Sequence, residues 1–309
     1  MRHIVLSGIQ VDILDNTVIE EGETSLKILQ THFLVKPEQV GMKISEALKN
    51  SLCEISVFAN IGIRTEESFE EISSDDLQKY SAIIVGYKSF LDTKKYETVS
   101  TTPLIFMNSY QKYGVCFTQL GPKFEFVEKI TKFDEIDEND EPKVITKTTI
   151  FEDSLGICQF FNDNIFNYDK VRKDELQKNR RFKKMDKPDL YALATLYHSE
   201  ALNQASIEDS KQFLVEKFKE TNRQKLLVDE SKTQESQIVF RQEFEDTLKI
   251  LTDSKDTNEF HPTNCILGSI VAQEVQKIVT RTDRPMYGLL VYDMMVQRAM
   301  VYSTDIYAL

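Results

Sequence analysis

Four short runs dominate the first half of the chain: Val11–Asp15 (VDILD), Glu54–Phe58, Ala82–Gly86 and Leu104–Met107. Each is too brief for a helix, and their Ile and Val content suits strands buried on both faces. Between the first two, Pro37–Leu52 places Val40, Ile44, Ala47 and Leu48 at helical spacing. Strands separated by helices predict a parallel sheet, because parallel neighbours need a crossover and a helix usually supplies it. Val115–Leu120 and Phe124–Val127 then read as an antiparallel extension.

The expected class is therefore α/β, with a Rossmann-like, mostly parallel sheet over residues 1–131. Lys132–Lys147 (KFDEIDENDEPKVITK) is acidic and poor in large apolar residues, and it reads as an exposed loop. Residues 148–257 turn helical, with Asp169–Phe182, Asp189–Asn203, Ile207–Phe218 and Gln237–Thr252 as the expected helices of an insertion. Its basic cluster, Lys178, Arg180, Arg181, Lys183 and Lys184, suits a solvated helix face better than an import signal. Residues 258–309 return to α/β. Thr263–Arg281 aligns Leu267, Ile270, Val271, Val275 and Ile278 on one face, and strands Leu289–Asp293 and Ala299–Tyr302 follow. Gly268 and Ser269 on that helix are expected to let another backbone approach.

Charge and cysteine usage exclude several functions. A net charge of −12 argues against general nucleic-acid binding, which needs a basic surface to displace counterions. No apolar run approaches the ~20 residues that span a bilayer, and the expectation is a cytosolic or nuclear protein. Cys53, Cys116, Cys158 and Cys265 form no CxxC pair, so they are expected to be buried or half-buried free thiols. His3, His32, His198 and His261 lie too far apart in sequence for an HxxxH or HExxH metal pair, and no GxSxG elbow occurs. No catalytic and no metal-binding residue is assigned.

A Rossmann-like opening should carry a glycine-rich turn that brings backbone N–H groups against a phosphate. No GxGxxG or GxxxxGK occurs here; instead Met1–Gly8 (MRHIVLSG) reads as the tail of a first helix capped by Gly8. In a sheet of order 3-2-1-4 the first strand is central, so its absence should separate Val11–Asp15 from Ala82–Gly86 and leave two unpaired edges. A segment upstream of Met1 is the expected remedy. Asp15 ends the first visible strand, where such folds grip a ribose with an acid; a solvated strand-end carboxylate explains it equally well. Lys43 is the best remaining candidate for a phosphate contact, since no arginine lies between Arg2 and Arg64.

Several segments resemble, in order, the non-catalytic half of the heterodimeric activating enzymes for ubiquitin-like modifiers, the ThiF-like adenylation family. They are His3–Asp15 (HIVLSGIQVDILD), Thr17–Glu21 (TVIEE), His32–Ala47 (HFLVKPEQVGMKISEA), Gln119–Thr131 (QLGPKFEFVEKIT) and Phe260–Asp293, whose G-S-x-x-A-Q-E-V helix is the strongest piece. The size of the insertion and the HIVLSG start resemble the SUMO branch; the Nedd-type subunit and a free-standing Rossmann-like enzyme are the alternatives. The resemblance implies a nuclear regulatory subunit, present also in the cytoplasm, that binds no cofactor alone. Its catalytic partner supplies ATP, Mg2+, the reactive cysteine and the surface that takes SUMO. The family's arginine-bearing amino-terminal stretch has no counterpart here, and Glu23–Thr31 departs from the run that normally follows TVIEE.

Overall fold

The computed structural model describes residues 1–22, 34–66, 68–86, 89–90, 93, 96, 101–136, 142–151, 156–166, 187–202, 206–219, 224–233, 238–253 and 261–302. Among these, parallel pairing belongs to the amino-terminal strands. β1 (Val11–Ile13) pairs in parallel with β2 (Ile61–Ile63), and β3 (Ile83–Gly86) with β4 (Leu104–Tyr110). From there the pairing is antiparallel. β5 (Tyr113–Gln119) lies between β4 and β8 (Gly288–Asp293), and β9 (Arg298–Tyr302) closes the far edge. The result is a five-stranded sheet in the order β3-β4-β5-β8-β9 and a separate two-stranded sheet, β1-β2. The expected break between Val11–Asp15 and Ala82–Gly86 is present.

A short helix, α3 (Ser74–Leu77), precedes β3, and further helices cover both faces of the larger sheet. On one side lie α4 (Ile157–Phe161), α5 (Pro188–Tyr197), α6 (Ile207–Phe218), α7 (Gln224–Leu227) and α8 (Gln242–Asp253) of the helical insertion. Wider turns continue α4 to Phe166 and α5 to Leu202. This core is aromatic: Phe161 stacks on Tyr197 at 4.5 Å between ring centroids and meets Phe90 and Phe160 edge-on. On the other face α9 (His261–Thr280) presents Leu267, Val271, Val275 and Ile278 to Ile105, Cys116 and Leu290, as its spacing predicts.

Two polar ties fix α9. Glu274 is buried; its Oε2 accepts from the Met286 N–H at 2.5 Å and its Oε1 from Lys277 Nζ at 2.8 Å. A carboxylate there satisfies a backbone donor just ahead of β8, which gives the glutamate of the AQEV segment a structural reason. Gln276 Nε2 donates to Ser7 Oγ, joining α9 to the end of α1 (Arg2–Leu6). The helix ends as read from sequence: Gly8 takes φ +76°, a left-handed value that favours glycine.

Four sequence expectations change. Glu54–Phe58 is not a strand: α2 (Ile44–Ile55) takes in its first two residues because Leu48, Leu52 and Ile55 extend the apolar stripe, and beyond Ser56, which is extended, Val57 and Phe58 project into solvent. The strand lies at Ile61–Ile63. Lys132–Lys147 is largely strand rather than loop. β6 (Phe124–Ile136) and β7 (Pro142–Phe151) form a ribbon in which Ile130 faces Ile145, Thr131 faces Val144 and Glu128 faces Lys147. Such cross-strand pairs stabilise a sheet even in an acidic segment; residues 137–141 lie outside the described residues. Cys53 and Cys265 are exposed, while Cys116 is buried and Cys158 is half-buried. Finally, a Cβ at Gly268 would meet nothing within 4 Å; the close approach to α9 occurs at Gly114 of β5, whose added Cβ would lie 3.3 Å from Thr263 Cγ2. The expected helix Asp169–Phe182 and the basic cluster fall outside the described residues.

Candidate functional site

The carboxyl ends of parallel strands are where open α/β sheets bind ligands, and both sequence candidates sit there. After β1 the chain passes through Asp15 and Asn16, then turns back so that Val18 bridges Lys43. The Ile19 N–H donates to the Met42 carbonyl at 2.9 Å, and the Ile44 N–H to the Thr17 carbonyl at 2.8 Å. This short antiparallel contact carries Lys43 to the start of α2, alongside Asn16. Asp15 and Lys43 therefore belong to one neighbourhood.

Their side chains are spent on the fold. Asp15 Oδ1 accepts from the Thr17 N–H at 3.0 Å, closing a local turn. Lys43 Nζ donates to Asn16 Oδ1 at 3.0 Å, and Asn16 Nδ2 donates to the Glu66 carbonyl at 2.5 Å. Asn16 thus ties the end of β1 to the segment after β2.

Sequence reasoning missed the other half of the neighbourhood. Arg64 follows β2, and its guanidinium grips Glu66 through Nε at 3.0 Å and through a second, close contact from the other fork nitrogen. Arg64 also reaches Tyr80 Oη at 3.5 Å, and Tyr80 Oη donates to Asp12 Oδ2 at 2.6 Å. The hydrogen bond from Arg64 holds the Glu66 carboxyl below its usual range and keeps Arg64 charged. Burial, then the bond to Asp12, pushes the Tyr80 phenol up, so it stays a neutral donor. The Arg-x-Glu spacing is visible in sequence; the Tyr80–Asp12 contact joins residues 68 positions apart and leaves no sequence signal.

These charges decide what the neighbourhood can hold. Lys43 and Arg64 stand against Asp12, Asp15 and Glu66, so the local sum is negative, and each cation already has an internal acceptor. A triphosphate needs surplus positive charge and free backbone N–H groups. The residues present do not fit that ligand: binding it would break the Arg64–Glu66 or the Lys43–Asn16 contact. Elsewhere, Cys265 Sγ lies 3.4 Å from His261 Nε2 on the first turn of α9, while burial pushes the Cys116 thiol far up. Among the described residues no group of three or more His, Cys, Asp or Glu is placed to hold a metal ion.

No protein-family model matches the chain. In sequence it is similar to a SUMO-activating enzyme subunit 1 of Dictyostelium discoideum, with 22% identity over an alignment 311 positions long, covering 95% of this chain and 79% of that protein. Among solved structures it aligns with MccB of E. coli bound to MccA-N7isoASN, at a TM-score of 0.44 and 12% identity. It also aligns with the microcin C7 biosynthetic enzyme MccB in complex with N-formylated MccA, at 0.45 and 14%. The alignments cover 99% and 98% of this chain, but it spans only 62% and 61% of those chains.

Proposed function

The sequence similarity points to the E1-like adenylation family, and from that premise we propose that this chain is the non-catalytic, regulatory subunit of a two-subunit SUMO-activating enzyme. The observation that carries the reading is a similarity running through 95% of the chain to a protein named as one subunit of such an enzyme. The strand-end neighbourhood supports it. Its cations are committed to Glu66 and Asn16, which suits a subunit whose partner binds the nucleotide. In this reading the catalytic subunit holds ATP and Mg2+, carries the reactive cysteine and receives SUMO. This chain packs beside it and stabilises its fold, in the nucleus and also in the cytoplasm.

The test is co-purification of the full chain with the SUMO-activating catalytic subunit, followed by ATP-dependent thioester formation with SUMO. Pairing, together with thioester that depends on this chain, supports the proposal. A chain that stays apart from the catalytic subunit, or that pairs while the catalytic subunit forms thioester equally well without it, overturns the proposal.

A further inference from the structure

The ribbon β6–β7 is anchored by Phe124, Phe126 and Phe151, which are buried, whereas Lys129–Thr131 and most of Lys143–Ile150 are exposed. An isolated pair of strands is marginally stable in water, and a third strand normally completes it. The outer edge of β6 is already tied: the Val127 N–H donates to the Arg281 carbonyl at 2.9 Å, and the Val127 carbonyl accepts from the Asp283 N–H at 3.0 Å. That tie fixes the phase of the ribbon. A residue's N–H and C=O point to one side of a strand and those of its neighbours to the other. Val127 therefore faces away from β7, while Phe124, Phe126, Glu128 and Ile130 face it. Their partners in the register are Phe151, Thr149, Lys147 and Ile145. The peptide groups of Val144, Thr146, Thr148 and Ile150 consequently point outward along β7, where no strand pairs with them among the described residues.

This open edge has a definite chemistry. Val144, Thr146, Thr148 and Ile150 share one face of the ribbon, and Val144 and Ile150 are 57% and 49% exposed. The other face carries Ile145, Lys147 and Thr149, with Lys147 exposed. In a chain of net charge −12, β7 holds two lysines, Lys143 and Lys147, and no carboxylate. Unpaired edges of this kind recruit strands: backbone bonds supply affinity and alternate side chains supply selectivity. Charge decides between occupants. Two copies of β7 overlapping fully along Val144–Ile150 in antiparallel register would set Lys147 directly opposite its own counterpart, which is destabilising. A carboxylate in the same place forms an ion pair. Lys147 falls at a non-hydrogen-bonded position of the new ladder, where opposing side chains approach most closely.

We propose that the open edge of β7 is a strand-addition site, and that its occupant is an extended segment of another protein, rich in Val, Ile and Thr, with a carboxylate at its centre opposite Lys147. The segment runs antiparallel to β7, the slightly more stable pairing, and exchanges backbone hydrogen bonds with Val144, Thr146, Thr148 and Ile150. β-Branched residues at its two ends cover the exposed side chains of Val144 and Ile150. Binding turns the ribbon into a three-stranded sheet, with the edge of β6 held by Arg281 and Asp283 as before. The site shares no residue with the neighbourhood of Asp15, Lys43 and Arg64, and it goes beyond the proposed function.

The test titrates the full chain with the capped peptide Val-Thr-Thr-Glu-Thr-Val-Val and follows amide hydrogen exchange. The expected result is an alternating pattern: exchange slows about tenfold or more at Val144, Thr146, Thr148 and Ile150, and much less at Ile145, Lys147 and Thr149, whose N–H groups already face β6. The same peptide with Lys in place of Glu should bind about fivefold more weakly, and Lys147→Glu should reverse that preference. Thr148→Pro removes an outward N–H without touching the β6–β7 bonds, so it should leave the melting temperature nearly unchanged and abolish the added protection. Unchanged exchange, slowing that is uniform along β7, or full protection in Thr148→Pro overturns the site. Equal binding of the Glu and Lys peptides overturns the acidic occupant. Concentration-dependent slowing at the same four amides without peptide overturns it in favour of a second copy. The readout involves no catalytic subunit, so its failure leaves the proposed function standing.

Discussion

β5 and β3 belong to the same sheet and have similarly apolar sequences, yet every residue of β5 is buried whereas β3 alternates between half-buried and exposed. The residues do not explain the contrast; their neighbours do. β5 is paired with β4 and β8 and sandwiched between the aromatic insertion and α9. Among the described residues β3 is paired on one side only. Burial in an α/β sheet is a property of ladder position and helix cover together, and an apolar run reports only that both can be accommodated. The small core around α2, β1 and β2 shares the weakness: β1 and β2 are three residues each and only half buried. Stability should therefore be concentrated in the five-stranded sheet and its insertion.

The sharpest way to break that contrast is to damage the aromatic core. Phe161 is fully buried among Tyr197, Phe90 and Phe160, so Phe161→Ala should cost about 3–5 kcal/mol, read from the shift in the urea unfolding midpoint. An equal loss from Leu48→Ala in α2 together with a negligible one from Phe161→Ala would reverse the assignment of where stability lies.

A smaller effect tests the tie between insertion and sheet. Tyr302 of β9 donates to both carboxylate oxygens of Asp189 at 3.2 Å, at the start of α5. Tyr302→Phe leaves a half-buried carboxylate short of a donor, at about 1–3 kcal/mol near neutral pH. Burial raises the Asp189 carboxyl above its usual value, while the Tyr302 hydrogen bond partly offsets this. A raised folded-state value means that Asp189 favours folding while protonated. That contribution is complete below the unfolded value of 3.8 and lost as pH rises through the folded one. Tyr302→Phe raises the folded value further, so its cost should grow from pH 4 to pH 7. Urea midpoints showing the same cost at both would mean that the carboxyl is uncharged throughout, and the tie would be a neutral one.

Much of this contrast was legible in the sequence. Ile207–Phe218 was readable as a helix to its ends because Ser206 caps it, accepting from the Asp209 N–H at 3.1 Å, and its apolar spacing stops at Phe218. Helix α8 was expected from Gln237 but begins at Gln242. The preceding residues are held elsewhere: Val228 bridges Phe240, and the Asp229 N–H donates to the Val239 carbonyl at 2.8 Å. That pairing is tertiary and has no local signature. The run Glu54–Phe58 misled because Ile, Val and Phe suit a strand by composition, whereas the spacing from Leu48 already carried the helix onward. At the strand ends the types of Asp15 and Lys43 were visible, but not their spent state, which depends on Asn16 and on where Glu66 arrives.

Two glycines give the gentlest test, because they separate a packed position from an open one against the same helix. A Cβ on Gly114 would press against Thr263 and Leu267 of α9, at 3.3 and 3.4 Å. Gly114→Val should therefore destabilise by about 1–3 kcal/mol as α9 is pushed from the sheet. Gly268, on α9 itself, has open space around its added Cβ and a helical backbone. Gly268→Ala should stabilise the isolated chain by up to about 1 kcal/mol through helix propensity alone. Thermal melts of both variants separate the cases, and the pairing assay adds a distinction that stability cannot. If Gly268→Ala melts higher yet no longer binds the catalytic subunit, the outward face of α9 is a contact surface for it. If melting rises and pairing is kept, α9 serves only its own sheet, and the AQEV segment is explained by Glu274 and its bond to the Met286 N–H.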